Sequence, residues 1–169
     1  MYATATNLLT WIGAKELAEI ATPDDLIQIT PTLMRLTIQG DARDAYTQAE
    51  QDAADESLVR IEAALGDADR QIDSYLASRY TLPLAAEVIT GSILPRICGD
   101  IARWLLFDNG VTKEVGERYD RAVVYLKDLQ SGDAQLGEES PEVSGTSAGE
   151  ADFEAGSRVF DDDTLQGFI

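Results

Sequence analysis

Large apolar residues recur at steps of three and four between Asp55 and Tyr80 of this 169-residue chain. An α-helix turns once in about 3.6 residues, so this spacing places them on one stripe of a long helix. Pro83 ends the pattern. The spacing therefore predicts a core helix over Leu58–Tyr80, with a stripe made of Leu58, Ile61, Leu65, Ala68, Ile72, Leu76 and Tyr80.

Two more helices follow in the pattern. Ser92 is an N-cap residue type in front of Ile93–Phe107, which is apolar on nearly every side. Thr112 caps a third helix, Thr112–Gln130, that stops before a glycine. We expect Ile93–Phe107 to be the central, most buried element, with Ile101 and Leu105 in the core. The predicted fold class is mainly α, a small helical bundle over residues 1–130.

The N-terminal third gives a weaker pattern. Two short helices separated by Gly13 are predicted first, and Thr22-Pro23-Asp24-Asp25 then resembles a helix cap with acidic residues in its first turn. Apolar and polar residues alternate in parts of residues 26–40, which favours a hairpin-like excursion. A helix that starts at Thr30-Pro31 is the alternative for this stretch.

The end of the chain differs in composition from the rest. Residues 131–169 carry ten acidic side chains and one basic one, which is half of the net charge of −18. Residues 131–157 are rich in Gly, Ser, Asp and Glu, so we predict an extended, flexible acidic arm that acts as a tether. Residues 158–169 are more apolar and are predicted to be a docking peptide, the alternative being a frayed terminus. Its candidate contact residues are Arg158, Val159, Phe160, Leu165 and Phe168.

Composition also argues against several functional classes. With 13 Lys and Arg against 31 Asp and Glu, the chain is poorly suited to neutralising nucleic-acid phosphates. It has no His, the commonest general base, and its single Cys makes a CxxC site impossible. The first sixteen residues lack the basic and apolar regions of a signal peptide, and no stretch is apolar enough to span a membrane. We expect no membrane association.

No catalytic motif is found in the sequence. Gly91-Ser92 is best explained as a loop and cap, and Cys98 as a small core residue. Asp67, Asp69 and Asp73 are predicted to form an ordinary solvated face of the first core helix. Asp161–Asp163 lacks the Gly and the closing Glu of a calcium loop. We therefore expect no enzyme activity, no catalytic residue, no cofactor and no metal site.

Two polar groups are candidates for a subunit interface. Arg96, Asp100 and Arg103 form a single polar stripe on the otherwise apolar helix. Such a stripe is a solvent edge or an ion-pair seam against another element or another subunit. Arg79-Tyr80 lies at the end of the first core helix, and both residue types are enriched at interfaces. Packing within the chain is the alternative for both groups.

Longer stretches resemble a specific family. The runs ALGDADRQIDSYLASRYTLPL (Ala64–Leu84) and CGDIARWLL (Cys98–Leu106) are similar to the Mu-like phage neck family. MYAT at the N-terminus, YDRAVVYLKDLQSGDAQLG (Tyr119–Gly137) and RVFDDDTLQGF (Arg158–Phe168) match it as well. Residues 24–54 depart from the family pattern, where this chain is longer and an insertion is expected.

The resemblance implies a structural protein of the virion neck, present in the host cytoplasm during assembly. It implies an adaptor that forms a homo-oligomeric ring, a dodecamer in related adaptors, on the portal protein after DNA packaging. Its other partner would be the tail-proximal neck or stopper protein, and double-stranded DNA would pass through without specific binding. The acidity suits a channel wall, since a negative wall repels a passing polyanion. The alternative is an acidic DNA mimic that occupies a nucleic-acid-binding partner.

Overall fold

The computed structural model describes residues 1–107 and 110–136. Within those ranges the chain forms helices and no strand, which confirms the mainly helical prediction. The helices are α1 (Ala5–Ala21), α2 (Pro31–Gln39), α3 (Gln48–Leu76), α4 (Ala86–Gly91), α5 (Leu94–Leu106) and α6 (Lys113–Ser131).

Helix α3, and not α5 as predicted, is the central element, because it packs against α1, α2, α5 and α6. Its predicted stripe is inside: Ile61, Leu65, Ile72 and Leu76 are fully buried. The predicted bounds were wrong at both ends, however, because α3 begins at Gln48 and ends at Leu76.

The early start of α3 has a local cause. Thr47 forms a capping box in which its hydroxyl accepts from the Glu50 backbone N–H, while the Glu50 carboxylate accepts from the Thr47 N–H. The Thr47 hydroxyl also donates to the Glu50 carboxylate over 2.7 Å, and this hydrogen bond, followed by the one from the Thr47 backbone N–H, lowers the pKa of the Glu50 carboxyl. The cap brings residues 48–54 into the helix, and Ala53 and Ala54 into the core.

The hairpin-like excursion predicted for residues 26–40 is wrong. Thr30 caps α2, with its hydroxyl accepting from Leu33 N–H, and Pro31 occupies the first turn. Leu33 and Met34 are fully buried, because α2 packs against both α1 and α3. The helical alternative at Thr30-Pro31 is the one the structure shows.

The N-terminal helix is interrupted as predicted, with a non-helical backbone at Gly13 inside α1. The prediction of a helix cap at Thr22-Pro23-Asp24-Asp25 is wrong, since no helix starts there. Thr22 instead closes α1, because its hydroxyl donates to the Ala18 carbonyl over 2.7 Å and is buried.

Helix α5 is buried much as predicted, and α4, a short helix in front of it, was missed. The N-cap predicted at Ser92 is wrong, because Ile93 holds the cap position of α5 and makes no side-chain capping hydrogen bond. Ser92 instead ends α4, where its hydroxyl donates to the Ile89 carbonyl and accepts from Leu94 N–H. The α1–α5 contact requires Gly99, since a Cβ there would lie 2.6 Å from the Trp11 ring. Ile101 is fully buried, whereas Leu105 is partly exposed, so its assignment to the core was wrong.

Helix α6 has the predicted ends. The Thr112 hydroxyl accepts from Val115 N–H, and Gly132 ends the helix with a φ of 94°. A left-handed residue at this position suits glycine, and the Arg79 guanidinium lies directly against it.

Candidate interaction surfaces

The polar stripe of α5 forms ion pairs with two other helices of the same chain. Arg103 Nε lies 2.5 Å from Glu16 Oε1 of α1, with only 12% of the Arg103 side chain exposed. The Asp100 carboxylate lies 3.6 Å from Arg96 Nε and 4.0 Å from Arg118 Nη1 of α6. The stripe is therefore an ion-pair seam, and its Arg103 end is closed by α1.

The other end of the stripe opens into a cavity of about 520 Å³ between α5 and α6, here called the arginine groove. Three guanidinium groups and two carboxylates line it: Arg96, Arg118, Arg121, Asp100 and Glu114. Its apolar lining is Ile93, Ile97, Ala122 and Tyr125.

The side chains of the arginine groove are partly held in place. The Arg96 guanidinium lies over the Trp11 ring, 5.3 Å from its centroid, and Arg118 pairs with Glu114 at 2.9 Å. Both arginine side chains keep about a third of their surface exposed, at 35% and 34%. Burial raises the pKa of the Tyr125 hydroxyl. The groove therefore offers positioned positive charge above an apolar floor.

A second surface combines exposed apolar residues with negative charge. Leu26 and Ile27, between α1 and α2, are 39% and 53% exposed. They line a cavity of about 540 Å³ with Asp25, Asp52 and Glu56. We call this surface the acidic patch. This surface was not predicted, although Leu26 and Ile27 directly after Asp24-Asp25 are a visible signal in the sequence.

Arg79 and Tyr80 contact the residues that follow α6. The Tyr80 hydroxyl accepts from Leu136 N–H over 3.2 Å, and Arg79 lies against Gly132. Tyr80 also packs on the hydrophobic core. These contacts hold the start of the acidic arm against the end of α3. A role in subunit contacts stays a prediction for both residues.

The N-terminal segment docks on α3 through two carboxylates. Asp69 accepts from Tyr2 N–H over 2.8 Å and from the Cys98 thiol over 3.5 Å, and its other oxygen lies 3.7 Å from the Met1 amine. The Tyr2 hydroxyl donates to Asp73 over 2.5 Å. We call this cluster the N-terminal seam.

The seam corrects the prediction that Asp67, Asp69 and Asp73 form one solvated face. Only Asp67 fits that description, since it is exposed and pairs with the exposed Arg70. Asp69 and Asp73 lie toward Tyr2, a contact between distant parts of the chain that helical spacing does not reveal.

Burial and the neighbouring carboxylates both raise the pKa of the Tyr2 hydroxyl and that of the Cys98 thiol. Burial is the largest cause that raises the pKa of the Tyr2 hydroxyl, followed by the hydrogen bond to Asp73. Burial also raises the pKa of the Cys98 thiol, with the Asp69 charge as the next cause. Cys98 is fully buried, as predicted, and its thiol is held in the protonated, unreactive form.

Several sequence predictions fall outside the described residues. These are residues 137–157 of the predicted tether, the docking residues Arg158, Val159, Phe160, Leu165 and Phe168, and Asp161–Asp163. Across residues 1–107 and 110–136, no group of His, Cys, Asp and Glu side chains is arranged to hold a metal ion. Over the same residues, no helix has the length and hydropathy needed to cross a bilayer.

Comparison with known proteins gives consistent matches. The family model described as "Bacteriophage Mu, Gp36" matches residues 2–155. The Mu-like prophage FluMu protein gp36 of Haemophilus influenzae is 33% identical over 111 residues, which cover 66% of this chain and 77% of that protein. Gene product J of Escherichia phage Mu is 35% identical over 79 residues, or 47% of this chain and 54% of that protein.

Proposed function

The chain belongs to the Bacteriophage Mu, Gp36 family, and we propose on that premise that it is a structural protein of the phage neck. In this role it is an adaptor that forms a homo-oligomeric ring on the portal protein after DNA packaging. The ring then receives the tail-proximal neck protein. The observation that carries the proposal is the family match over residues 2–155, which includes the whole described helical body.

The surface features of the body suit an assembly subunit. The arginine groove and the acidic patch both combine charge with exposed apolar side chains, which is the composition of a specific contact surface. The carboxyl and thiol groups of the N-terminal seam are engaged in hydrogen bonds within the fold. We therefore propose that the protein is not an enzyme and acts by contact alone.

The net charge of −18 supports the same role. A ring of such subunits presents a negative field to DNA in its channel. That field opposes tight phosphate contacts that would slow the passage of the duplex. DNA passes through such a ring without being bound by it.

Two measurements test the proposal. Cryo-electron microscopy of assembled particles should show density for this chain between the portal and the tail, in a closed ring. Native mass spectrometry of the chain mixed with purified portal should show a complex with several copies per portal ring. A chain absent from the particle, which instead competes with DNA for a nucleic-acid-binding protein, would contradict the proposal and favour the acidic DNA mimic.

A further inference from the structure

We propose that a second copy of this chain docks its acidic patch on the arginine groove, so that neighbouring subunits contact each other head to tail. The inference rests on the proposed ring and assigns the two faces that build it. Three observations carry it: the position of the faces, their charges and their exposed apolar residues.

The two faces lie at opposite ends of α3. Asp52 and Glu56 of the acidic patch belong to its first third. Helix α6, which forms one wall of the arginine groove, meets α3 near its other end, where Gln71 donates to the Tyr119 hydroxyl over 3.3 Å. Glu56 and Gln71 are about 22 Å apart along the helix axis, at 1.5 Å per residue.

One copy therefore cannot bring its own two faces together. When different surfaces of identical subunits meet, the interface is heterologous, and repeated copies form a ring if the rotation closes. A pair of complementary faces at opposite ends of a subunit is the arrangement that such a ring needs.

The charges of the two faces are complementary. The groove presents three guanidinium groups, of Arg96, Arg118 and Arg121, against the two carboxylates of Asp100 and Glu114, so positive charge is in excess by one. Among the described residues no carboxylate forms an ion pair with Arg121, whose Nε donates to the Glu117 carbonyl over 3.0 Å. The patch presents three carboxylates, of Asp25, Asp52 and Glu56, all on exposed residues. In a chain this acidic, a surface with three guanidinium groups is unusual, and a partner patch rich in carboxylates suits it.

Both faces also expose apolar side chains that a contact would cover. Leu26 and Ile27 are exposed on the patch, and Ile93 is 54% exposed at the edge of the groove. The groove has an apolar floor of Ile97, Ala122 and Tyr125. Its cavity of about 520 Å³ is large enough to receive the two aliphatic side chains. The expected contact has an apolar centre and a charged rim.

Charge reversal on each face, followed by rescue, tests the inference on the full-length chain. The patch variant is Asp52→Arg with Glu56→Arg, and the groove variant is Arg118→Glu with Arg121→Glu. Like charges facing each other across an interface are strongly unfavourable, so each variant should weaken self-association by ~10-fold or more. Self-association is measured by native mass spectrometry and sedimentation, alone and in the presence of purified portal rings.

Recovery of association by complementary charge reversals is the decisive test of the inference. A single chain with all four substitutions, or a mixture of the two double variants, should recover association because the charges are complementary again. Glu62→Arg with Asp120→Arg is the matched control, since both residues are exposed and line neither face. Helix content and melting temperature establish that each variant is folded.

The other outcomes overturn the inference. If every folded variant assembles like wild type, a different pair of faces builds the ring, and the proposed neck function is unaffected. If only the groove variant fails and the four-fold variant is not rescued, the groove binds another partner, such as the chain's own C-terminal segment. A wild-type chain that is absent from assembled particles would instead remove the proposed function.

Discussion

The ion pairs of Asp100 with Arg96 and Arg118, here called the Asp100 cluster, differ in role from the N-terminal seam, although the central carboxylates of the two groups are similarly exposed. The Asp69 and Asp100 side chains are 16% and 18% exposed, and they lie on helices that pack together. Asp69 binds Tyr2 and Cys98, which come from distant parts of the chain and are themselves buried. Asp100 binds Arg96 and Arg118, which keep a third of their surface in solvent.

The comparison shows that the exposure of a carboxylate does not by itself fix what it contributes. A hydrogen bond between buried groups stabilises the fold, because breaking it leaves a polar group without water. An ion pair whose partners reach solvent exchanges with water and contributes little to folding. The seam therefore closes the fold, while the Asp100 cluster positions charge at a surface.

The largest loss of stability is expected at Ile101, the residue next to Asp100. Ile101 is fully buried, so Ile101→Ala should lower the free energy of unfolding by about 2–5 kcal/mol. Leu105→Ala, one turn later, should cost less because Leu105 is partly exposed. Urea denaturation of both variants measures the two losses in free energy of unfolding. Equal losses would contradict the burial difference along α5.

The second largest effect is expected at the seam. Asp69→Ala should cost about 1–3 kcal/mol, because it leaves the buried Tyr2 N–H and Cys98 thiol without their acceptor. Asp100→Ala is the matched control and should cost less than about 1 kcal/mol. Urea denaturation compares the two variants. A larger loss for Asp100→Ala would reverse the roles assigned to the two clusters.

Alkaline pH should weaken the N-terminal seam. The pKa values of Tyr2 and Cys98 are raised in the folded state, so their contribution is complete below the unfolded-state values and is lost as pH rises above them. The unfolded thiol ionises first, and each pH unit above its pKa removes about 1.4 kcal/mol.

The control for that pH dependence is Cys98→Ala. Its free energy of unfolding should fall less than that of wild type between pH 8 and pH 10, even if its stability at pH 7 is lower. Parallel pH profiles for the two proteins would show that the thiol does not ionise differently in the folded and unfolded states.

The difference between local contacts and contacts of distant parts of the chain explains which features could be predicted from the sequence. Local features predict both helices: α5 follows from the spacing of its apolar residues, and α6 from spacing and its Thr112 cap. Arg96–Asp100 is likewise a pair one turn apart. The capping box at Thr47 is also a local signal, T-x-x-E, although it was not predicted. Because this signal was missed, the start of α3 was predicted too late in the sequence.

Distant contacts gave no such signal. Tyr2 with Asp69 joins residues 67 positions apart, and Glu16 with Arg103 joins residues 87 apart. Nothing in the spacing of either residue identifies its partner, since the pairing depends on how the helices pack. The alternation in residues 26–40 failed for a related reason, because packing of α2 on α1 and α3 prevailed over a weak strand pattern.

A smaller effect on stability is expected for Asp100→Arg. The change places a fourth guanidinium beside Arg96 and Arg118, but these groups are partly solvated, so the folded monomer should lose no more than about 1 kcal/mol. Ring assembly should be impaired much more strongly, since the change removes the carboxylate that pairs with Arg96 and Arg118 and repels both guanidinium groups from the positions in which the arginine groove holds them. Thermal melting and native mass spectrometry separate the two effects. A monomer that unfolds would show that Asp100 is structural and that the interface hypothesis is wrong.

The smallest effect on folding is expected when the C-terminal segment is removed. The described core lies within residues 2–136, so truncation after Gly156 should leave the melting temperature unchanged. It should still reduce portal attachment and the yield of tailed particles. A flexible tether of about 20 residues spans roughly 25 Å, which is enough to reach the portal or an adjacent subunit.

Two full-length variants separate the apolar contribution of that segment to docking from its electrostatic contribution. Replacing Phe160, Leu165 and Phe168 by Ala removes apolar anchors that contribute about 1.5–3 kcal/mol each before the cost of ordering. Replacing Asp161–Asp163 by Asn keeps the anchors and removes the salt-sensitive part of docking. If docking depends on both, each variant lowers tailed-particle yield, and only the Asn variant loses its dependence on salt. Even weak docking matters here, because the tether raises the local concentration of the segment and the ring repeats it. Normal attachment and yield for the truncated chain would mean that the segment is a solvated terminus without a docking role.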